Sequence, residues 1–178
     1  MPRTGLIGRI AAGVLTALVL PTTMAWQPAW AANAGALPPD DPALEALMSA
    51  EQTLWELTNV DRVANGLEPL DLDVDTLAIA RERAEDQLDA PTLSHYDPNG
   101  ELIFTQLLAG AHLTYQLAGE NLARASVQDP SVIQRVEQAL MQSPTHRANI
   151  LEPTFRRVAI GAATGRGGQI TFAEVYRD

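Results

Sequence analysis

Past Pro153 the apolar residues stop recurring at helical spacing and begin to alternate, and this change of period constrains the fold more than any other feature of the 178-residue sequence. Val158, Ile160 and Ala162 alternate as one strand, the glycine-rich stretch 165–168 supplies a turn, and residues 170–176 form its hairpin partner. The pattern before Pro153 is helical. From Pro42 to Asn65, Leu44, Leu47, Leu54 and Leu57 share one side of a helix; Asp61 intrudes on that stripe, and Gly66 is placed to end it in a left-handed conformation. A second helix follows Asp75 on Leu77, Ala80, Ala84 and Leu88. Arg81 and Glu85 are spaced to pair across its charged face, which is expected to be solvated, and Pro91 ends it. Ile103 to Ala109 reads as a short helix stopped at Gly110. A third long helix starts at Asp129-Pro130, carries Val132, Val136, Ala139 and Leu140 on its apolar side, and runs into residues 143–151. Helices first and an antiparallel hairpin last predict an α+β domain rather than a doubly wound sheet.

The N-terminal 31 residues have the order of a secretory signal: Arg3 and Arg9, an apolar run from Ile10 to Leu20, then small residues ending at Ala29-Trp30-Ala31. Cleavage is expected after Ala31, with Ala34 as the alternative, so the exported chain begins near Ala32. The apolar run is too short for a comfortable membrane span. Residues 32–42 read as a linker, rich in proline and aspartate without an apolar period, and 43–178 as the domain. All twelve basic residues are arginine. Loss of Arg3 and Arg9 leaves ten arginines against 22 acidic residues, a formal charge of −12. Such a chain shows no basic stripe for nucleic acid and is repelled by an anionic membrane surface. With no cysteine, disulfides, thiolate metal sites and a cysteine nucleophile are excluded, so a metal would need nitrogen and oxygen ligands.

Three segments carry polar residues in positions that need explanation. In SPTHRANIL, residues 143–151, Ser143 reads as an N-cap whose oxygen accepts an orphan amide proton, and Pro144 as the first helical residue. His146 then falls in the first helical turn, where the dipole disfavours an imidazolium and keeps the ring neutral. Taken alone, His146 also has a capping or packing explanation. In LAGENLA, residues 117–123, Glu120 and Asn121 sit between Leu117, Ala118, Leu122 and Ala123. If those flanks pack inward, the carboxylate needs a cation, a metal or hydrogen-bond donors, and backbone amides in a loop would serve equally. His95 lies in the turn-rich run Ser94 to Gly100, where a surface role suffices by itself.

The ordered set LTNVDRVANGLEPL, LAIARERAEDQL, SHYDPNG, GENLA, SPTHRANIL and VAIGAA resembles the bacterial branch of the CAP superfamily, whose members carry the SCP domain, over roughly residues 52–176. The resemblance implies an α-β-α sandwich with a small antiparallel sheet and a cleft where two histidines and acidic residues meet. Carried over, the cleft histidines fall on His95 and His146 and the glutamate on Glu120; His112 matches no motif. Many members add a second glutamate on the helix that here ends at Gln142. Glu137 is on that helix but out of register, and Leu140 stands where bacterial relatives commonly have tryptophan. Glu174 on the last strand, where relatives often show glutamine, is read first as solvent-facing and second as the missing carboxylate.

The resemblance favours a non-catalytic extracellular binding module whose cleft takes a small apolar or envelope-derived ligand or a divalent metal. Zinc on His95, Glu120 and His146 is the expected metal set. A metal-dependent hydrolase using the same cleft is the alternative, although the tight H-E-x-x-H spacing of metalloproteases is absent. Ser94 next to His95 does not give attack geometry. A structural or stress-protective secreted domain is the third reading.

Overall fold

The computed structural model describes residues 42–178; the signal peptide expected over 1–31 and the linker expected over 32–42 lie, but for Pro42, outside them. Helix α1 spans Pro42–Ala64. Leu54 and Trp55 bury its inner face, while Leu44 and Leu47 lie outside the described side chains. The helix ends as expected: Gly66 has φ +77°, its N–H donates to Val63 O, and Leu67 N–H reaches back to Arg62 O. Asn59 then mimics a strand, donating to Leu70 O and accepting from Leu70 N–H, and Trp55 Nε1–H adds a second bond to the same carbonyl at 3.0 Å. These bonds deliver the chain into a two-residue strand, β1 (Asp71–Leu72).

Three further helices precede or follow the next strand: α2 (Leu77–Asp86), α3 (Ile103–Gly110), then β2 (Ala118–Ser126) and α4 (Val132–Gln142). Helix α5 (Pro144–Ile150) leads to the hairpin of β3 (Arg157–Thr164) and β4 (Gln169–Arg177), turned by a short 3-10 segment over Arg166–Gly168. The sheet order is β1-β3-β4-β2. The hairpin is antiparallel as expected and β2 joins β4 antiparallel, but β1 runs parallel to β3, so the sheet is mixed.

Period-two alternation does not translate into one dry and one wet face. Val158 to Ala162 are all buried, because α2 and α3 cover one side of the sheet and α1, α4 and α5 the other. On the α2 side Ile79, Ala80, Phe104, Leu108, Ala159 and Val175 form a core cluster. Contact is closest at Gly161, where a Cβ would lie 2.1 Å from the carbonyl carbon of Ala80; only glycine admits the helix at that distance.

Buried ion pairs tie the layers where a cysteine-free chain has no covalent link. Arg177 grips Asp73 through Nε at 2.7 Å and Nη2 at 2.9 Å, joining the end of β4 to the loop before α2. Arg81 does not pair with Glu85. It reaches Glu51 on α1 at 2.8 and 2.6 Å, and Glu51 also accepts from Ala162 N–H of β3. The long-range geometry wins because both carboxylate oxygens meet the guanidinium fork, which an i,i+4 surface pair rarely achieves.

Two helix starts differ from expectation. Helix α4 begins at Val132 rather than at Pro130, since Asp129 Oδ1 accepts from both the N–H and the hydroxyl of Ser131 and holds a turn there. Ser143 and Pro144 do occupy the N-cap and first positions of α5. The Ser143 hydroxyl, however, makes no capping bond and lies 3.3 Å from Thr145 Oγ1. Ala139, expected on the apolar side of α4, is exposed, and Glu137 is buried there instead.

Candidate functional site

The segment LAGENLA, which offered loop and ligand readings, is the first half of β2, an edge strand. Its alternation sorts the polar residues onto two faces. Glu120 pairs with Val175 of β4 and points toward α2; Asn121 pairs with Glu174 and points toward α4 and α5. The site therefore wraps around one strand edge.

On the α2 side Arg83 is the residue that sequence reasoning missed. Its side chain is 0% exposed, in a helix whose charged face was expected in water. Nε donates to Glu120 Oε1 at 2.8 Å and Nη2 to Oε2 at 3.4 Å; Nη1 holds Asp86 at 3.0 Å, and Nη2 also holds Ser94 O at 2.8 Å. The cation demanded by a buried Glu120 is thus supplied by the protein. Gln87, the residue just past α2, accepts from Ser94 N–H at 2.9 Å, so Arg83 and Gln87 hold both backbone polar groups of the residue before His95. His95 Nδ1 then meets Glu120 Oε2 at 2.7 Å. A carboxylate only accepts, so Nδ1 carries the hydrogen, and in the neutral ring Nε2 then keeps its lone pair.

On the opposite face Asn149 of α5 donates to Glu120 O at 3.2 Å and to Asn121 Oδ1 at 2.9 Å. Gly119 permits this approach: a Cβ there would sit 3.1 Å from both Asn149 Oδ1 and Phe155 Cζ. Asn121 Nδ2 in turn faces His146 O at 3.2 Å, fixing the first turn of α5. Burial, and secondly the charge of His95, lowers the His146 pKa, so its ring is neutral at pH 7. Neutrality was expected from the helix dipole; desolvation and the neighbouring histidine are its physical causes here.

Of the expected residues, His95 and Glu120 are in direct contact and His146 lies within electrostatic reach of His95. His112 is elsewhere, exposed after α3 with φ +58°. Glu174 is not solvent-facing: it is 1% exposed, and with Glu137 it belongs to a separate buried cluster against Thr58. Glu120 does not fit as a metal ligand, because its side chain is 0% exposed and its oxygens already accept from Arg83 and His95. Among the described residues no group of three His, Asp or Glu side chains is arranged to hold a metal ion. None of the described helices is long and apolar enough to cross a membrane.

A sequence profile of the cysteine-rich secretory protein family, CAP, matches residues 55–176. The uncharacterized protein YkwD of Bacillus subtilis (strain 168) is 31% identical over 119 residues, which are 67% of this chain and 44% of YkwD. The uncharacterized membrane protein YlbC of the same organism is 29% identical over 64% of this chain and 31% of its own length. The chain thus spans less than half the length of these curated relatives. Among solved structures, an extracellular SCP-domain protein from Bacillus anthracis superposes with a TM-score of 0.65 at 24% identity, covering 79% of this chain and 45% of that one. An outer surface protein from Borrelia burgdorferi gives 0.61 at 17% identity over 73% and 92%. These two share the fold. The profile match over residues 55–176 shows that this cysteine-free chain belongs to the cysteine-rich secretory protein family, CAP.

Proposed function

We propose that the protein is an extracellular, non-catalytic binding module whose ligand meets His95 Nε2 and the neutral ring of His146. One observation carries this reading: the Glu120 carboxylate is enclosed, with Arg83 and His95 occupying its oxygens. A hydrolase that used Glu120 as its general base would need that carboxylate open to water. Ser94 is no better placed as a nucleophile, since its hydroxyl donates to Tyr96 O and accepts from Tyr96 N–H. Tyr96, 55% exposed, sets its ring edge-on to His95 at a centroid distance of 6.4 Å and provides apolar surface beside the imidazole. The ligand class is therefore a small molecule with an apolar body and a hydrogen-bond-donating end, of the kind an envelope supplies. The arginine-flanked apolar segment at the N-terminus and the extracellular description of the Bacillus anthracis protein support a location outside the cell. Intact-mass analysis of exported protein should find a start near Ala32.

A divalent ion held by the two imidazoles alone is a second reading, favoured by the free Nε2 of His95 and the neutral His146. Glu120 then stands behind His95 and orients it, the usual place of a carboxylate that hydrogen-bonds a ligating histidine. Titrations with a fluorescent long-chain alcohol and with zinc, on the exported protein and on His95→Ala and His146→Ala, separate the readings. Saturable alcohol binding that both variants weaken supports the binding module. Zinc binding lost in both variants supports the two-imidazole ion site. Failure of the parent protein to bind either probe contradicts both.

A further inference from the structure

A second carboxyl cluster lies on the other face of the sheet, and the proposed ligand site does not use it. Glu137 of α4 and Glu174 of β4 are 4% and 1% exposed, and both approach the hydroxyl of Thr58 on α1, at 3.1 and 3.3 Å. Thr58 has one hydrogen to offer two acids. Glu174 has other donors: Tyr176 OH at 2.5 Å and Asn121 Nδ2 at 2.9 Å. Glu137 Oε1 is buried with no hydrogen-bond partner. The charged neighbours do not relieve it. Asp61 on α1 is a further carboxyl within hydrogen-bonding reach of Glu137, and both that contact and its negative charge raise the Glu137 carboxyl. Arg62 on α1 commits its guanidinium to the carbonyls of Glu68, Ile150, Glu152 and Phe155, and its charge is felt by Tyr176. Glu120 of β2 points to the opposite face, and α5 reaches the cluster through Asn121, which bonds the His146 carbonyl and Asn149.

We propose that Glu137 and Glu174 share a proton in the folded protein, with Glu137 as the neutral acid, and that this proton latches α4 to α1 and β4. The hydrogens then balance along one chain: Glu137 Oε2–H donates to Thr58 Oγ1, and the Thr58 hydroxyl donates to the Glu174 carboxylate, which Tyr176 and Asn121 also hold. Because Asn121 also binds His146 O, the latch sits one hydrogen bond behind the ligand site. Removal of the proton places two anions in a closed interior without a cation, an arrangement that proteins avoid. Burial, and secondly the Glu174 charge, pushes the Glu137 carboxyl up to about 9, and burial raises Glu174 as well. Tyr176 is raised too, chiefly by burial, so it stays a neutral donor.

A carboxyl raised on folding contributes stability that is complete below its unfolded pKa, near 4.3, and is lost as pH rises through the folded value. The isosteric variant Glu137→Gln keeps a donor and an acceptor but has no proton to lose. Its folding equilibrium constant relative to the parent protein should rise by up to about tenfold per pH unit between pH 5 and 9. Infrared spectroscopy reads the proton directly. The parent protein at pH 7 should show the carbonyl band of a protonated carboxylic acid, absent in Glu137→Gln and fading in the parent protein above pH 9. A constant stability difference from pH 5 to 9, or no such band in the parent protein at pH 7, overturns the proposal. If Glu137→Gln does not fold, the band in the parent protein and its alkaline loss decide the matter alone.

Discussion

The two faces of β2 and β4 compensate buried acids in different ways. Toward α2, Glu120 is met by a fully buried arginine and an imidazole; toward α4, Glu137 and Glu174 are met by hydroxyls, an amide and, on our proposal, a proton. Each solution suits its surroundings. A guanidinium fork fixes direction, so His95 inherits a defined orientation and tautomer. A shared proton fixes no direction but lets three elements pack without a cation between them.

The sharpest way to break this contrast is to remove the cation. Arg83→Met should cost about 3–5 kcal/mol in denaturant unfolding, because Glu120 is left buried without its guanidinium and with His95 as its remaining partner. Replacing both residues by apolar ones, Arg83→Met with Glu120→Leu, should recover much of that loss while disordering His95. A double variant no more stable than Arg83→Met would show that the pair is not a self-contained unit.

A smaller loss is expected at the residue linking the two faces. Asn121→Ala removes a buried amide that serves Glu174, Asn149 and His146 O, and should cost about 1–3 kcal/mol. Amide hydrogen exchange should quicken in α5 more than in α2. Equal quickening in both helices would argue against its specific hold on α5.

Arg81→Ala sharpens the comparison from the same helix. Its partner Glu51 keeps the bond from Ala162 N–H, and Arg81 is 32% exposed, so the loss should be about 1 kcal/mol or less. Two arginines two residues apart would then differ severalfold in effect because of burial.

The smallest effect concerns His146. Its pKa is lowered on folding, so its contribution is present above the unfolded value of about 6.5 and is lost as pH falls below it. Thermal unfolding of the parent protein should therefore decline slightly faster than that of His146→Ala below about pH 6.5; parallel curves would contradict the assigned causes.

Much of this was legible in the sequence. The helix α1, its glycine stop and the hairpin follow from period and turn chemistry, whereas the approach of His95 to Glu120 was implied only by the family resemblance. Arg83 was hidden in RERAED, where charge density argues for solvent. Yet Ile79, Ala80, Arg83, Ala84 and Gln87 share one helical stripe, and all five are buried. A carboxylate expected to need a cation and an arginine on an apolar stripe were the two halves of one signal. Glu174 offered no such clue. In FAEVY a strand covered on both sides has no wet face, and only tertiary packing shows that its partners are Thr58, Asn121 and Tyr176. The two-residue β1 was likewise invisible, since it is a strand only by its pairing with β3 and by Asn59 holding Leu70.

The central claim is that Glu120 supports His95 rather than facing the ligand. Long-range nitrogen–proton correlation NMR on the ¹⁵N-labelled protein at neutral pH tests it most directly, because it identifies which ring nitrogen of His95 carries hydrogen. The account predicts hydrogen on Nδ1 and a bare Nε2, with the preference lost in Glu120→Ala. A His95 ring with hydrogen on Nε2 and a bare Nδ1 would contradict it.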